Sequence, residues 1–102
     1  MVQRRRRKIW WTVNALQTKK NIFYYWNNRN KTTVYSQKLE QLFTTTLVTI
    51  ENYPKATIAI NKENIRAVLV RDYYLVFEIT ELTIKVLDIW DTRQNPQDFP
   101  IH

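Results

Sequence analysis

From Ile65 to Pro96 the chain reads as apolar runs, IRAVLV, YYLVFEIT and ELTIKVLDIW, with Arg71-Asp72 and Thr80-Glu81 as punctuation. β-branched and aromatic residues dominate, and neither Gly nor Pro interrupts a run before Pro96. This pattern predicts consecutive antiparallel strands joined by short turns. A turn at Thr80-Glu81 makes Ile79 and Leu82 neighbours. Period-2 counting then pairs Phe77 with Ile84 and Leu75 with Val86 on the same, fully apolar face. The opposite face carries Val76 beside Lys85 and Glu78 beside Thr83, a mixed surface. One side of such a sheet is expected to be covered by helices. If Arg71-Asp72 is a two-residue turn, Arg66, Val68 and Val70 share the covered face with Tyr73 and Leu75. A bulge would reverse that assignment.

Upstream, Ile9 to Trp11 reads as a short strand added to the sheet, and Thr12 as the N-cap of a helix starting at Val13. Ala15, Lys19, Ile22, Trp26 and Arg29 recur at helical spacing to about residue 29, with Leu16, Phe23 and Tyr25 widening the stripe. Asn27 to Asn30 is a polar break. A second helix is expected from Lys31 to Asn52, capped by Asn30, with Tyr35, Leu39, Leu42, Phe43, Thr46 and Ile50 as its stripe. Pro54 ends it. The short break makes the two helices an αα-hairpin. Ala56 to Ile60 follows as a strand and Asn61 to Asn64 as a turn. The expected fold is α+β: an N-terminal strand, the hairpin, then a four-strand antiparallel meander with the helices packed on one face. Residues 1–102 form one domain, with 1–8 a basic arm and 97–102 a tail.

Composition narrows the chemistry. With no Gly among 102 residues, Asn and Asp are expected to take the positive-φ turns. The absence of Cys excludes disulfides, cysteine zinc sites and thiol catalysis. The single histidine is His102, which argues against a histidine triad or a multi-histidine metal site. Asp88 with Asp91 is too sparse for a cation site. No metal or cofactor is therefore expected. No apolar run approaches the roughly 20 residues that span a membrane. The basic start precedes no apolar stretch of signal-peptide length, so a cytoplasmic protein without membrane partners is expected. A net charge of +7 favours nucleic acid, the ribosome or an acidic protein as partner, although it would also serve to keep an aromatic-rich chain soluble.

Several stretches carry a resemblance. Trp11-Thr12-x-x-Ala15 leads to Ile22-x-x-Tyr25, and Tyr53-Pro54 closes the hairpin. Asn64-Ile65-Arg66-Ala67-Val68-Leu69-Val70 is followed by Tyr73-Tyr74-Leu75-Val76-Phe77-Glu78-Ile79. The series ends in Ile84-Lys85-Val86-Leu87-Asp88-Ile89-Trp90 and Asp91-Thr92-Arg93-Gln94-Asn95-Pro96. In this order they resemble the RelE/ParE toxins of bacterial type II toxin–antitoxin modules, over about Lys8 to Pro96. The resemblance implies a toxin that arrests growth and is held inactive by a cognate antitoxin. RelE-like members cut mRNA in the ribosomal A site, and ParE-like members poison DNA gyrase. Ribosome-dependent mRNA cleavage is the leading expectation. Gyrase inhibition by binding, or a non-toxic basic module that binds nucleic acid, are the alternatives.

An RNase of this kind needs a base for the 2′-OH, cations for the phosphorane and an acid for the leaving oxygen. The resemblance implies Arg93 first, where the family often keeps a basic residue, and Arg66 second. Arg93 could equally neutralise Asp91. Tyr73 and Tyr74 alternate across the sheet, and the exposed one, taken as Tyr74, could stack on a base. RNA-cutting members usually carry Tyr-Arg where this chain has Tyr73-Tyr74, a departure that shifts weight towards the gyrase mode. Arg71, Lys85 and the arm residues Arg4, Arg5, Arg6 and Arg7 are candidates for contacting nucleic acid or another target. Trp10, Trp11, Trp26 and Trp90 are expected as core or edge anchors, in part touching the antitoxin. That partner is expected to supply an amphipathic, acidic segment that folds on the toxin.

Overall fold

A computed structural model of the chain describes residues 7–61 and 64–94. Strand β1 (Lys8–Trp11) leads into helix α1 (Val13–Asn30) and helix α2 (Val34–Asn52). A single 3₁₀ turn (Pro54–Ala56) precedes β2 (Ile58–Ala59), β3 (Ile65–Val70), β4 (Tyr73–Ile79) and β5 (Thr83–Asp91). The sheet has five strands in the order β1-β5-β4-β3-β2. β1 runs parallel to β5, and the remaining pairs are antiparallel. The expected α+β architecture, an N-terminal strand followed by two helices and a meander, is the one observed.

Thr12 caps α1 as expected: its hydroxyl accepts a hydrogen bond from the Ala15 amide at 3.1 Å. Ala15 is fully buried, so the first turn of α1 lies close against the sheet. The break between the helices falls later than the Asn-rich stretch predicts. Asn30 is the last residue of α1, Lys31 adopts the left-handed conformation at φ 58°, and α2 begins at Val34 instead of Lys31. Asn27 has a different use there. Its side-chain oxygen accepts from the buried Ser36 hydroxyl at 2.7 Å and so ties the two helices together.

The predicted strand over residues 56–60 shrinks to two residues. Pro54 starts the 3₁₀ turn, and the Thr57 hydroxyl closes it on the Pro54 carbonyl at 2.7 Å. The β4–β5 hairpin turns one residue later than expected. The Thr80 amide bonds the Thr83 carbonyl at 2.9 Å, which leaves Glu81 and Leu82 at the tip and Leu82 exposed. Ile79 therefore faces Ile84, and Phe77 faces Val86. This register differs by two residues from the period-2 count, and a slip of two keeps every side chain on its predicted face.

A bulge follows. Phe77 pairs with Val86 but Val76 pairs with Asp88, so Leu87 is the extra residue. Past it the parity of β5 reverses, sending Ile89 into the core and Trp90 to the other face. The bulged carbonyl of Leu87 accepts from the Thr12 hydroxyl at 3.2 Å and the Asn14 side chain at 3.1 Å, so the start of α1 holds the bulge in place.

The main core joins Leu39, Phe43, Leu47 and Ile50 of α2 to Tyr73, Leu75, Phe77, Ile84, Val86 and Ile89 of the sheet. On the face without helices a smaller cluster forms from Ile60, Ala67 and Val76, with Tyr74 and Trp90 packed against it.

Candidate functional site at the end of β5

The parity reversal at Leu87 has a second effect: the end of β5 turns back over α1. There a cleft of about 430 Å³ opens between α1, the first residue of β4 and the end of β5. Ile22, Tyr25, Tyr73 and Ile89 form its apolar part, and Asp91 and Arg93 form its charged lip. Trp26 stands behind it. Its indole nitrogen donates to the Tyr73 hydroxyl at 2.7 Å, and its ring meets Tyr35 edge-on at 4.8 Å.

Arg93 is held by Asp91. The carboxylate accepts from the Arg93 amide at 2.9 Å, from Nε at 2.9 Å and from a terminal nitrogen at 2.8 Å. The same guanidinium lies 5.7 Å from the Trp26 ring centroid, and that of Arg29 lies 5.9 Å from it. The hydrogen bonds from Arg93 hold the Asp91 carboxyl below the usual carboxylate range, and those bonds raise Arg93 further above its ordinary value. Burial raises Tyr73, and the neighbouring Asp91 charge adds to this against the hydrogen bond from Trp26.

The other residues proposed from sequence lie elsewhere. Arg66 pairs with Phe77 at the rim of the covered face, and its guanidinium donates to the Thr57 hydroxyl and carbonyl, both at 2.6 Å. Phe77 is four residues along β4 from Tyr73, about 13 Å at the usual strand rise. Tyr74 lies on the helix-free face opposite Trp90. Lys85 lies on that face too, 3.6 Å from Glu78 and 5.0 Å from the Trp10 ring centroid. Arg71 is exposed in the β3–β4 turn, at φ 57°. Arg7 joins three elements: its amide donates to the Glu51 carboxylate at 2.9 Å, and its guanidinium reaches the carbonyls of Glu51 and Thr80 at 2.9 and 2.8 Å. Arg4, Arg5 and Arg6 lie outside the described residues.

Residues 9–96 match the family model described as the ParE toxin of the type II toxin–antitoxin system, parDE. The chain belongs to that family. It is thus a toxin of a type II toxin–antitoxin module, and membership implies a cognate antitoxin. Among solved structures, this ParE-family chain is similar to a chain of the chromosomal ParDE toxin–antitoxin system from P. aeruginosa. The likeness has a TM-score of 0.67 at 13% identity and covers 85% of this chain and 97% of that one. At such identity it speaks for the fold. No curated protein matches.

Three of the described candidates are thus dispersed: Arg93 at one end of the sheet, Arg66 towards the other, and Tyr74 on the helix-free face. The cleft gathers a different set, Tyr73 and Asp91 beside Arg93, with Trp26 behind it between Arg93 and Arg29. Its titratable groups are poorly suited to accept a proton near neutral pH. The Asp91 carboxylate is engaged by a cation and shifted down, and the Tyr73 phenol is shifted up. Among the described residues no three metal-ligating side chains cluster, and no helix is long and apolar enough to cross a membrane. Sequence reading passed over Arg29 as part of the α1 stripe and named Trp26 only among the aromatic anchors. The available signal was Tyr25 and Arg29 four apart on one helix face, beside a Trp.

Proposed function

We propose that this ParE-family toxin arrests growth by binding DNA gyrase in the bacterial cytoplasm, without chemistry of its own on nucleic acid. The observation that carries the reading is the engagement of its two leading cations. Arg93 is clamped by Asp91, and Arg66 by Thr57 about 13 Å along the sheet. Phosphodiester cleavage needs a base, an acid and free cations converging on one phosphate. The two leading candidates are instead far apart and already partnered. Membership of the ParE family supports the same reading, and it removes the support for a non-toxic module.

The test is induction of the chain without its antitoxin, with separate labelling of DNA and protein synthesis, beside supercoiling assays on purified gyrase. DNA synthesis should stop first, and supercoiling should be inhibited by the purified chain. Arrest of translation first, with mRNA cut on purified ribosomes and gyrase unaffected, would overturn the proposal in favour of the RNase.

A further inference from the structure

The cleft beside Arg93 has a charge pattern that bears on the antitoxin. Among the described residues one cation and one carboxylate line it, Arg93 and Asp91, and they neutralise each other. A phosphate backbone would therefore find no surplus positive charge inside, whereas nucleic-acid sites present rows of cations. The interior is aliphatic and aromatic, through Ile22, Ile89, Tyr25 and Tyr73. Arg29 adjoins this lining through Tyr25: it is exposed, and its guanidinium lies 3.4 Å from the Tyr25 hydroxyl. Among the described residues the ion pairs are Lys19–Glu40, Lys85–Glu78 and Arg93–Asp91, and Arg29 belongs to none of them. The wall behind is rigid, since Trp26 is fixed by its bond to Tyr73 and its contact with Tyr35. An apolar recess with a cation lacking an ion-pair partner beside it complements an apolar side chain next to a carboxylate.

We propose that this cleft seats an apolar side chain of the cognate antitoxin, and that a neighbouring carboxylate of that partner pairs with Arg29. Asp91 pairs the charged Arg93 and holds it folded back over Trp26, so the anchor enters without burying an unpaired guanidinium. Because the wall is already formed, little ordering cost falls on the toxin side when the partner binds. The inference rests on membership of a toxin–antitoxin family and is independent of gyrase as target.

The experiment measures association and dissociation of the full chain with the antitoxin encoded beside it, at low and high salt. Asn21→Trp, at an exposed helical position on the cleft wall, should fill the recess and weaken binding about 100-fold, chiefly through faster dissociation. Arg29→Glu should slow association about tenfold at low salt, and the deficit should shrink as salt rises. Lys55→Glu, exposed beside Arg66, is the charge-matched control and should stay within about twofold. Circular-dichroism melts check folding, and Asn21→Arg replaces Asn21→Trp if the latter melts early. Unchanged binding by folded Asn21 variants overturns the anchor, and unchanged association by Arg29→Glu overturns the ion pair. Duplex DNA or RNA that binds the free chain and is released by Arg29→Glu, with antitoxin binding intact, would reassign the site to nucleic acid.

Discussion

The two ends of the sheet use arginine in opposite ways. Near the β4–β5 turn, Arg7 and Arg66 direct their guanidiniums at backbone carbonyls of Glu51, Thr80 and Thr57. There they fasten β1, α2 and the residues before β2 to the sheet. At the end of β5, Arg93 and Arg29 lie against aromatic rings and a carboxylate at the mouth of a cleft. A charged donor on a part-buried carbonyl, as at Glu51 and Thr57, replaces water that the carbonyl has partly lost, so its removal should be felt in stability. A charged group half in water contributes little to stability and remains available to a partner. Net charge alone does not distinguish the two uses.

Arg7 carries the largest expected effect. Arg7→Ala should cost about 2 kcal/mol, mostly because the part-buried carbonyl at the end of α2 loses a charged donor, the exposed Thr80 carbonyl adding less. That corresponds to a fall of roughly 10 °C in the melting temperature of a domain this size. A variant melting with the natural chain would show that the clasp is incidental.

Arg66→Ala tests the same end more gently, with an expected loss of about 1.5 kcal/mol and faster hydrogen exchange in β2, which among the described strands pairs with β3 alone. Protection of Ile58 and Ala59 equal to that of the natural chain would contradict the fastening role.

At the cleft, Tyr73→Phe removes the acceptor of the Trp26 indole and should cost about 1 kcal/mol in a urea titration. Burial raises the Tyr73 pKa in the folded chain, so its neutral form is favoured there. Its contribution is complete below the unfolded value near 10 and is lost as pH climbs through the raised folded value. The alkaline limb of the stability profile should flatten in Tyr73→Phe. An unchanged limb would remove Tyr73 from that transition.

The smallest effect on stability belongs to Arg93. Arg93→Ala should change it by less than about 0.5 kcal/mol, since the side chain is half exposed. The Asp91 carboxyl is depressed, so its pairing with Arg93 favours the fold above the ordinary value of 3.8 and fades as pH falls through the lower folded value. Acid unfolding should therefore begin at slightly higher pH in Arg93→Ala. A large loss of stability at neutral pH would make the two ends of the sheet alike.

Local patterns determined much of this protein. The run of β-branched and aromatic residues after Ile65 set the strands and their two faces, and Thr12 set the start of α1. The order of elements needed no structure, because periods of 2 and 3.6 are properties of neighbouring residues. The resemblance to the toxin family was legible for the same reason. Only the tertiary structure decided where the hairpin turned, that Leu87 bulges, and that β1 joins β5 in parallel. These depend on hydrogen bonds between residues such as Thr12 and Leu87, far apart in the chain. The cleft follows from them. Without the bulge, Ile89 and Asp91 would face away from α1, and Arg93 would not meet Trp26. An arginine's sequence position says that it is charged. Which carbonyl, carboxylate or ring it meets is set by the packing of distant segments, and that contact separates a fastener from a binding group.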